Sequence, residues 1–282
     1  MEKIIFVTGA SRGFGFEIVK TALAAGDKVA ASVRSNAEQL TEKLGNHPNL
    51  LVVTMDVVNE VQVIDAVNAI IERFGTVNVL INNAGYGMVT AIEEASDREA
   101  RDQYDANVFG MLNVIRAVLP HMRKQRSGHI INISSLFGFD VIAGWGLYGS
   151  TKFAVEGISK GLAIELAPLN IQVTAVEPGL FSTDFLSAES SKTSKHIIED
   201  YNDTVGQMRL NAPLLHGNQP GDPAKLAAAI IKLAHTTTPP LHLPLGSDSV
   251  GMYKNNVAKT SAAMEAWMEV STGTDHVAAT IK

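Results

Sequence analysis

The sequence has no cysteine in its 282 residues. Disulfides, zinc-thiolate sites, iron-sulfur ligation and thiol nucleophiles are therefore excluded, and any redox chemistry must be borrowed from a cofactor. Charge of one sign is also lacking: 23 Lys and Arg stand against 29 Asp and Glu, a formal net charge of -6. Such a surface offers no general positive field to nucleic acid or an anionic membrane, so no nucleic-acid partner is expected. Nowhere do about 18 apolar residues run without interruption, as a membrane span requires. The first residues lead straight into Ile4, Ile5, Phe6 and Val7, without the ordered regions of a secretory leader. The expectation is a cytoplasmic protein with no membrane span.

What is present is apolar sequence, at 46% of residues. A chain of this length buries roughly 75% of its extended surface in one core, so a single domain over residues 1–282 is expected. Short apolar, β-branched runs at 4–7, 28–32, 50–55, 77–81, 129–133 and 170–176 predict buried strands. Between and after them, apolar residues three and four apart predict helices at 14–25, 37–44, 58–74, 102–126, 150–166 and 224–235. Continuous apolar strands alternating with helices need cover on both faces, which gives an α/β fold with a doubly wound parallel sheet. Residues 180–215 break this rhythm, with a polar run over 187–195, and are expected to form an inserted substrate lid with a helix near 197–208. Residues 236–282 read as a C-terminal extension: turns through Pro244 and Gly246, then a last helix near 254–270.

Directly after the first strand comes Thr8-Gly9-Ala10-Ser11-Arg12-Gly13-Phe14-Gly15, opening a helix. Glycines there permit a tight turn and let a pyrophosphate approach the free N–H groups of a helix start. The lysine of a nucleoside-triphosphate loop is missing, so ATP chemistry is disfavoured. At the end of the second strand, Ser32-Val33-Arg34-Ser35 supplies no carboxylate for a ribose diol. Arg34, together with Arg12, suits an additional phosphate instead, which points to NADP(H) rather than NAD.

Tyr148 and Lys152 lie four residues apart on a predicted helix, so they share a face. A lysine beside a phenol is expected to lower its pKa and let it exchange a proton with an alcohol oxygen. Just upstream, Asn132-Ile133-Ser134-Ser135 ends a predicted strand. Ser135 is placed to orient a carbonyl and to stabilise charge growing on its oxygen, while Ser134 reads as a strand-end hydrogen bonder.

Taken together, these motifs resemble the classical short-chain dehydrogenase/reductase family, of the NADP-preferring type, over residues 3 to about 235. The glycine stretch from Thr8 to Gly15, the stretch Asn82-Asn83-Ala84-Gly85, the set Asn107, Ser135, Tyr148 and Lys152, and Pro178-Gly179 with Thr183 carry the resemblance. It implies a Rossmann-like fold and hydride exchange between NADP(H) and a ketone or aldehyde. By that resemblance Gly9, Ser11, Arg12, Gly13, Phe14 and Gly15 form the phosphate loop, and Asp56 and Val57 flank the adenine. Asn82, Ala84 and Gly85 shape the central cofactor loop, and Pro178, Gly179 and Thr183 lie beside the nicotinamide. Lys152 would hold the nicotinamide ribose as well as tune Tyr148, and Asn107 would retain a water in a proton relay. A homodimer or homotetramer is implied as well.

For the substrate, Ser135 and Tyr148 are joined by Phe181 and Phe185, four apart after Pro178-Gly179, with Met88, Phe137, Phe139, Trp145 and Met208 as further apolar candidates. An uncharged, apolar small molecule fits this set better than a phosphorylated sugar, because the lid has few positive groups and Asp184, Glu189, Glu199, Asp200 and Asp203 nearby. Lys192, Lys195 and Arg209 read as solvated lid residues. No metal is expected, since neither His196 nor His216 has a compact ligand cluster nearby. A 3-oxoacyl-type reductase and a nucleotide-binding redox sensor without substantial turnover are the alternatives.

Overall fold

The computed structural model describes residues 2–186 and 191–276. In chain order these form β1 (Ile4–Val7), α1 (Gly13–Ala24), β2 (Lys28–Val33), α2 (Ala37–Lys43), β3 (Leu50–Thr54) and α3 (Glu60–Phe74). Next come β4 (Val79–Asn82), β5 (Gly87–Val89), α4 (Asp97–Tyr104), α5 (Gly110–Gln125), β6 (Gly128–Ile133), α6 (Gly146–Leu166) and β7 (Ile171–Pro178). The chain continues through β8 (Ser191–Thr193), α7 (Gln207–Leu215), α8 (Pro223–Ala234), β9 (His242–Leu245), α9 (Ser247–Ala266) and α10 (Met268–Thr272). Residues 187–190 of the expected lid and 277–282 of the expected extension lie outside the described residues.

Seven strands form one parallel sheet in the order β3-β2-β1-β4-β6-β7-β9. Side chains alternate across it with the period of two that a pleated strand imposes. Ile5, Val7, Val79, Ile81, Ile131 and Ile133 pack on one face against α1 and α8. Phe6, Leu80, Ile130 and Val173 pack on the other against α3, α5 and α6. The doubly wound Rossmann-like fold is therefore present as a single domain. The chain runs outward from β1 through β2 to β3 and then returns to β4 on the other side. That reversal opens a crevice at the strands' C-terminal ends, where ligands bind in such sheets.

Four parts of the chain depart from the sequence expectation. In the lid, the helix expected near 197–208 is a 3-10 turn at Glu199–Tyr201 and a π turn at Asn202–Gly206, and the regular helix α7 begins only at Gln207. The helix expected over 102–126 starts earlier, at a capping box between Ser96 and Glu99, and is interrupted by a wide π turn at Asp105–Phe109. Two contacts account for the break: Asn107 is bonded to the Tyr86 backbone, and Gly110 presses so closely on Val57 that a Cβ there would meet its side chain. The stretch around Pro244 is a strand rather than turns. Proline is tolerated there because, among the described residues, β9 is the sheet's edge and pairs only with β7. The last long helix begins at Ser247, and its first turn fastens the site: the Asp248 carboxylate accepts from the Leu180 N–H at 2.6 Å, and the Ser249 hydroxyl donates to the Glu177 carbonyl at 2.7 Å.

Candidate active site

A cleft of about 1180 Å³ runs along the C-terminal ends of the strands, from the loop after β2 to the start of the lid. At one end lies the glycine loop. Gly9 has φ +69°, a conformation that L side chains rarely adopt, and a Cβ there would stand 2.9 Å from the Ala84 Cα. A Cβ on Gly15 would run into the Gly9 carbonyl oxygen and come within 2.7 Å of the Asn83 amide nitrogen. The loop is thus folded tightly onto the end of β4. The Thr8 hydroxyl accepts from the Asn83 and Ala84 N–H groups at 3.0 and 3.1 Å, and the Asn83 amide donates to the Thr8 and Gly9 carbonyls, both at 2.9 Å. Asn83, passed over as a separate site residue in the sequence, is therefore the clamp that shapes the loop.

The remaining cofactor candidates lie along the same cleft. Ser11, Arg12, Gly13, Phe14, Arg34, Asp56, Val57, Ala84, Gly85, Pro178, Gly179 and Thr183 all border it. Asn82 sits behind them, buried, and donates to Asn132 at 2.9 Å. The Thr183 hydroxyl accepts from the Phe185 N–H at 3.3 Å, which turns the chain back over the glycine loop.

At the centre, α6 presents Tyr148 and Lys152, both buried. Burial pushes the Tyr148 phenol well above its ordinary range, and a hydrogen bond with Ser135 opposes that rise. The Ser135 hydroxyl also accepts from the Phe137 N–H at 3.1 Å, which fixes its orientation at the end of β6. Burial lowers the Lys152 ammonium to about 8, with the nearby Glu156 charge opposing. Lys152 Nζ donates to the Ile133 carbonyl at 2.8 Å and lies 5.6 Å from the centre of the Tyr148 ring. The expected depression of the phenol by this lysine is accordingly not seen: the ammonium faces the ring, and burial dominates the hydroxyl.

Asn107 is buried in the π turn. Its Oδ1 accepts from the Tyr86 N–H at 3.0 Å, and its Nδ2 donates to the Tyr86 carbonyl at 3.0 Å and to the Thr151 hydroxyl at 3.1 Å. With Lys152, Thr8 and Asn82 it lines an internal cavity of about 10 Å³, roughly the room for one water.

The other end of the cleft is built from side chains. Trp145 stacks on Phe137 at 5.2 Å and on Phe185 at 6.3 Å, and Tyr148 meets the same group edge-on or tilted. The two phenylalanines paired in the sequence part company here. Phe181 stands edge-to-face with Phe14 at 5.4 Å and belongs to the core under α1 and α8. It borders the same cleft nearer the glycine loop, while Phe185 borders it beside Tyr148. Phe139 packs on Tyr253, Met208 on Gly144, and Met88 is buried in β5.

Arg209, read as a solvated lid residue, is largely buried, and its guanidinium lies 2.6 Å from the Glu94 carboxylate. Burial works to raise Glu94, but the Arg209 bond, the Ile198 and Ala91 N–H groups and the Arg209 charge together hold it at about 2. The Ser194 hydroxyl adds a bond to the Glu94 carbonyl at 2.7 Å, and β8 pairs with β5. The described part of the lid is thus tied to the body by strand pairing and one buried ion pair.

A glycine loop, a central Ser-Tyr-Lys group and a side-chain enclosure share this cleft, and the model of the short chain dehydrogenases matches residues 3–194. The chain belongs to the short chain dehydrogenase family. A 3-ketodihydrosphingosine reductase of Bacteroides thetaiotaomicron is 38% identical over 245 residues, covering 86% of this chain and 88% of the relative. The crystal structure of a short-chain dehydrogenase from Streptomyces avermitilis superposes with a TM-score of 0.91 at 39% identity, covering 98% of this chain and 100% of that one. The NADP-bound structure of ElxO gives a TM-score of 0.74 at 28% identity, covering 89% and 100%. This chain is an oxidoreductase of that family, and among its described residues no helix is long and apolar enough to cross a membrane.

Proposed function

We propose that this protein is an NADP-dependent oxidoreductase that interconverts a ketone or aldehyde and an alcohol, acting on an uncharged, apolar small molecule. The observation that carries the reading is Ser135 and Tyr148 bordering one cleft where its glycine-built end and its aromatic end meet. The residues present fit a dinucleotide: Gly9 and Gly15 let the loop fold tightly against Ala84 and Asn83, where any Cβ would collide, and the start of α1 beside it offers backbone N–H groups to a pyrophosphate. Arg12 and Arg34 border the same cleft and would take the extra phosphate that distinguishes NADP, the cofactor held by the ElxO neighbour. Asp56 and Val57 would meet the adenine, while Lys152, Pro178, Gly179 and Thr183 would hold the nicotinamide end.

When bound, NADPH supplies the hydride for the carbonyl carbon. The chain's own residues manage the oxygen. Ser135 orients the carbonyl and donates a hydrogen bond as charge develops on it. Tyr148 gives its proton to that oxygen, and its high pKa without substrate keeps the hydroxyl protonated until then. Lys152 provides positive charge beside the ring, and the cavity it shares with Asn107 would hold the water that returns the proton. Trp145, Phe137 and Phe185 exclude bulk water and accept an apolar body. Self-association as a homodimer or homotetramer belongs to the proposal, supported by the exposed Phe153 and Ile164 of α6, as does a cytoplasmic setting.

A second reading, reduction of an acyl-chain ketone, is favoured by Lys192 at the cleft, whose ammonium lies 4.4 Å from the Tyr86 ring centre, and by the 3-ketodihydrosphingosine reductase relative. A redox sensor without turnover would have no use for the preserved Ser135, Tyr148 and Lys152. The test is an NADPH-oxidation screen over apolar ketones, sugar-derived ketones and 3-oxoacyl compounds, followed by product analysis. Turnover on an apolar ketone, falling about 1000-fold in Tyr148→Phe while NADPH binding stays within about twofold, is expected. Undiminished turnover in that variant would remove the mechanism. Preference for 3-oxoacyl chains would select the second reading.

A further inference from the structure

Three titratable side chains that the reaction does not use meet at the sheet edge. They are Glu156 of α6, Glu177 at the end of β7 and His242 of β9, and none of them borders the cleft. Their ligand-type atoms all lie within 4.8 Å of one another. His242 Nδ1 stands 2.9 Å from Glu177 Oε1 and 3.1 Å from Glu156 Oε2. The Glu177 side chain is 0% exposed, that of Glu156 9%, and His242 at 26% provides a way in from solvent.

The bonds within this group do not satisfy it. A single Nδ1 hydrogen cannot serve two carboxylates, and Glu156 Oε1 and Glu177 Oε2 are buried with no hydrogen-bond partner at all. Leaving buried carboxylate oxygens uncompensated is costly. Among the described residues no lysine or arginine forms an ion pair with either glutamate: the exposed Lys160, one turn further along α6, acts on them only through its charge, and Lys152, one turn the other way, is committed to the Ile133 carbonyl. The spacing suits one missing cation. Metal bonds of about 2.1 Å place neighbouring octahedral ligands about 3.0 Å apart, close to the separations from His242 Nδ1 to each carboxylate.

We propose that Glu156, Glu177 and His242 bind one divalent first-row transition-metal ion, of the zinc or manganese class. Two carboxylate oxygens and an imidazole nitrogen favour such ions over calcium or magnesium, which prefer all-oxygen surroundings. The ion joins α6, β7 and β9. Glu156 follows Lys152 by one turn and Glu177 directly precedes Pro178-Gly179, so the ion braces the frame around the site without touching substrate.

The test uses the full-length chain, stripped with a chelator and then dialysed against Zn²⁺ or Mn²⁺. One ion per chain, with a rise in Tm of at least ~3 °C, is expected. Glu177→Gln and His242→Asn should each lose both the ion and the rise, whereas His216→Asn, altering an exposed histidine, should keep them. Glu177→Gln is nearly isosteric and puts a neutral amide where burial already disfavours a charged carboxylate, so its metal-free Tm should equal or exceed that of the wild type, separating lost binding from lost folding. A Co²⁺-loaded sample should show visible absorption that is absent from His242→Asn. A wild-type chain that takes up no stoichiometric ion, or an ion that persists in both variants, overturns the proposal and leaves the carboxylates sharing protons.

Discussion

The two ends of the cleft are built by different means. The cofactor end is made of backbone: Gly9 and Gly15 fold against Ala84 and Asn83, and the shape depends on where a Cβ is absent. The substrate end is made of side chains, with Phe137, Trp145 and Phe185 stacked around Tyr148 and brought together from three separate segments. A backbone-built surface tolerates almost no change, because its neighbours are peptide groups that cannot rotate away. A side-chain surface can repack. The difference is open to direct attack.

The largest effect should come from the backbone end. Gly15→Ala puts a methyl into the Gly9 carbonyl and the Asn83 amide, so the loop must move. NADPH affinity is expected to fall by about 100-fold or more, a loss of about 3 kcal/mol, measured by fluorescence titration. A variant that binds NADPH as the wild type does would show that the loop is not the cofactor's cradle.

The next effect concerns the lid, which is held by a buried ion pair in addition to strand pairing and apolar packing. Glu94 sits at about 2 against an ordinary 4.5. A depressed carboxylate contributes stability that is complete above the ordinary value and is lost as pH falls from there through the folded one. About 3 kcal/mol is expected to disappear between pH 5 and pH 2, read from denaturant midpoints across that range. Arg209→Met should flatten this acid slope and cost about 3 kcal/mol at pH 7, because Glu94 is then buried without its partner. An unchanged slope would mean that the ion pair does not hold the lid.

A smaller effect tests the far edge of the cofactor end, where Arg34 is exposed and its contact with a phosphate would be partly screened. Arg34→Leu should reduce the NADPH-to-NADH preference by about 10-fold, as expected for one charge-assisted contact near solvent. The ratio of kcat/KM for the two cofactors measures it. A preference untouched by this change would leave Arg12 as the discriminating group.

The backbone-built end was the part most legible in the sequence, because a glycine spacing after an apolar run states its own geometry. Tyr148 and Lys152 were legible for a similar reason, four residues on a helix being a fixed relation. Long-range relations were not visible in this way. The partnership of Arg209 with Glu94 spans 115 residues, and the meeting of Glu156 and Glu177 with His242 depends on β9, whose Pro244 gave it the look of a turn. The fold class could be read because the alternation of apolar strands with helices repeats along the chain. The π turn around Asn107 could not, since its causes are the backbone of Tyr86 and the side chain of Val57, both distant in sequence.

Phe181 and Phe185 give the finest test, since spacing alone made them equivalent and the fold assigns them to opposite ends. Phe181 is 8% exposed and interlocks with Phe14 and Gly221, so Phe181→Leu removes a ring from a packed core. A loss of about 1–2 kcal/mol of folding stability is expected, with little change in KM for substrate. Phe185 stacks in the enclosure beside Tyr148, where Phe185→Leu should raise KM a few-fold, worth about 1 kcal/mol, and leave the denaturation midpoint nearly unmoved. Measuring both quantities on both variants makes the contrast decisive. If Phe181→Leu shifts KM and Phe185→Leu shifts stability, the boundary between the two ends has been drawn on the wrong side of Thr183, and the lid rather than α6 would carry substrate selection.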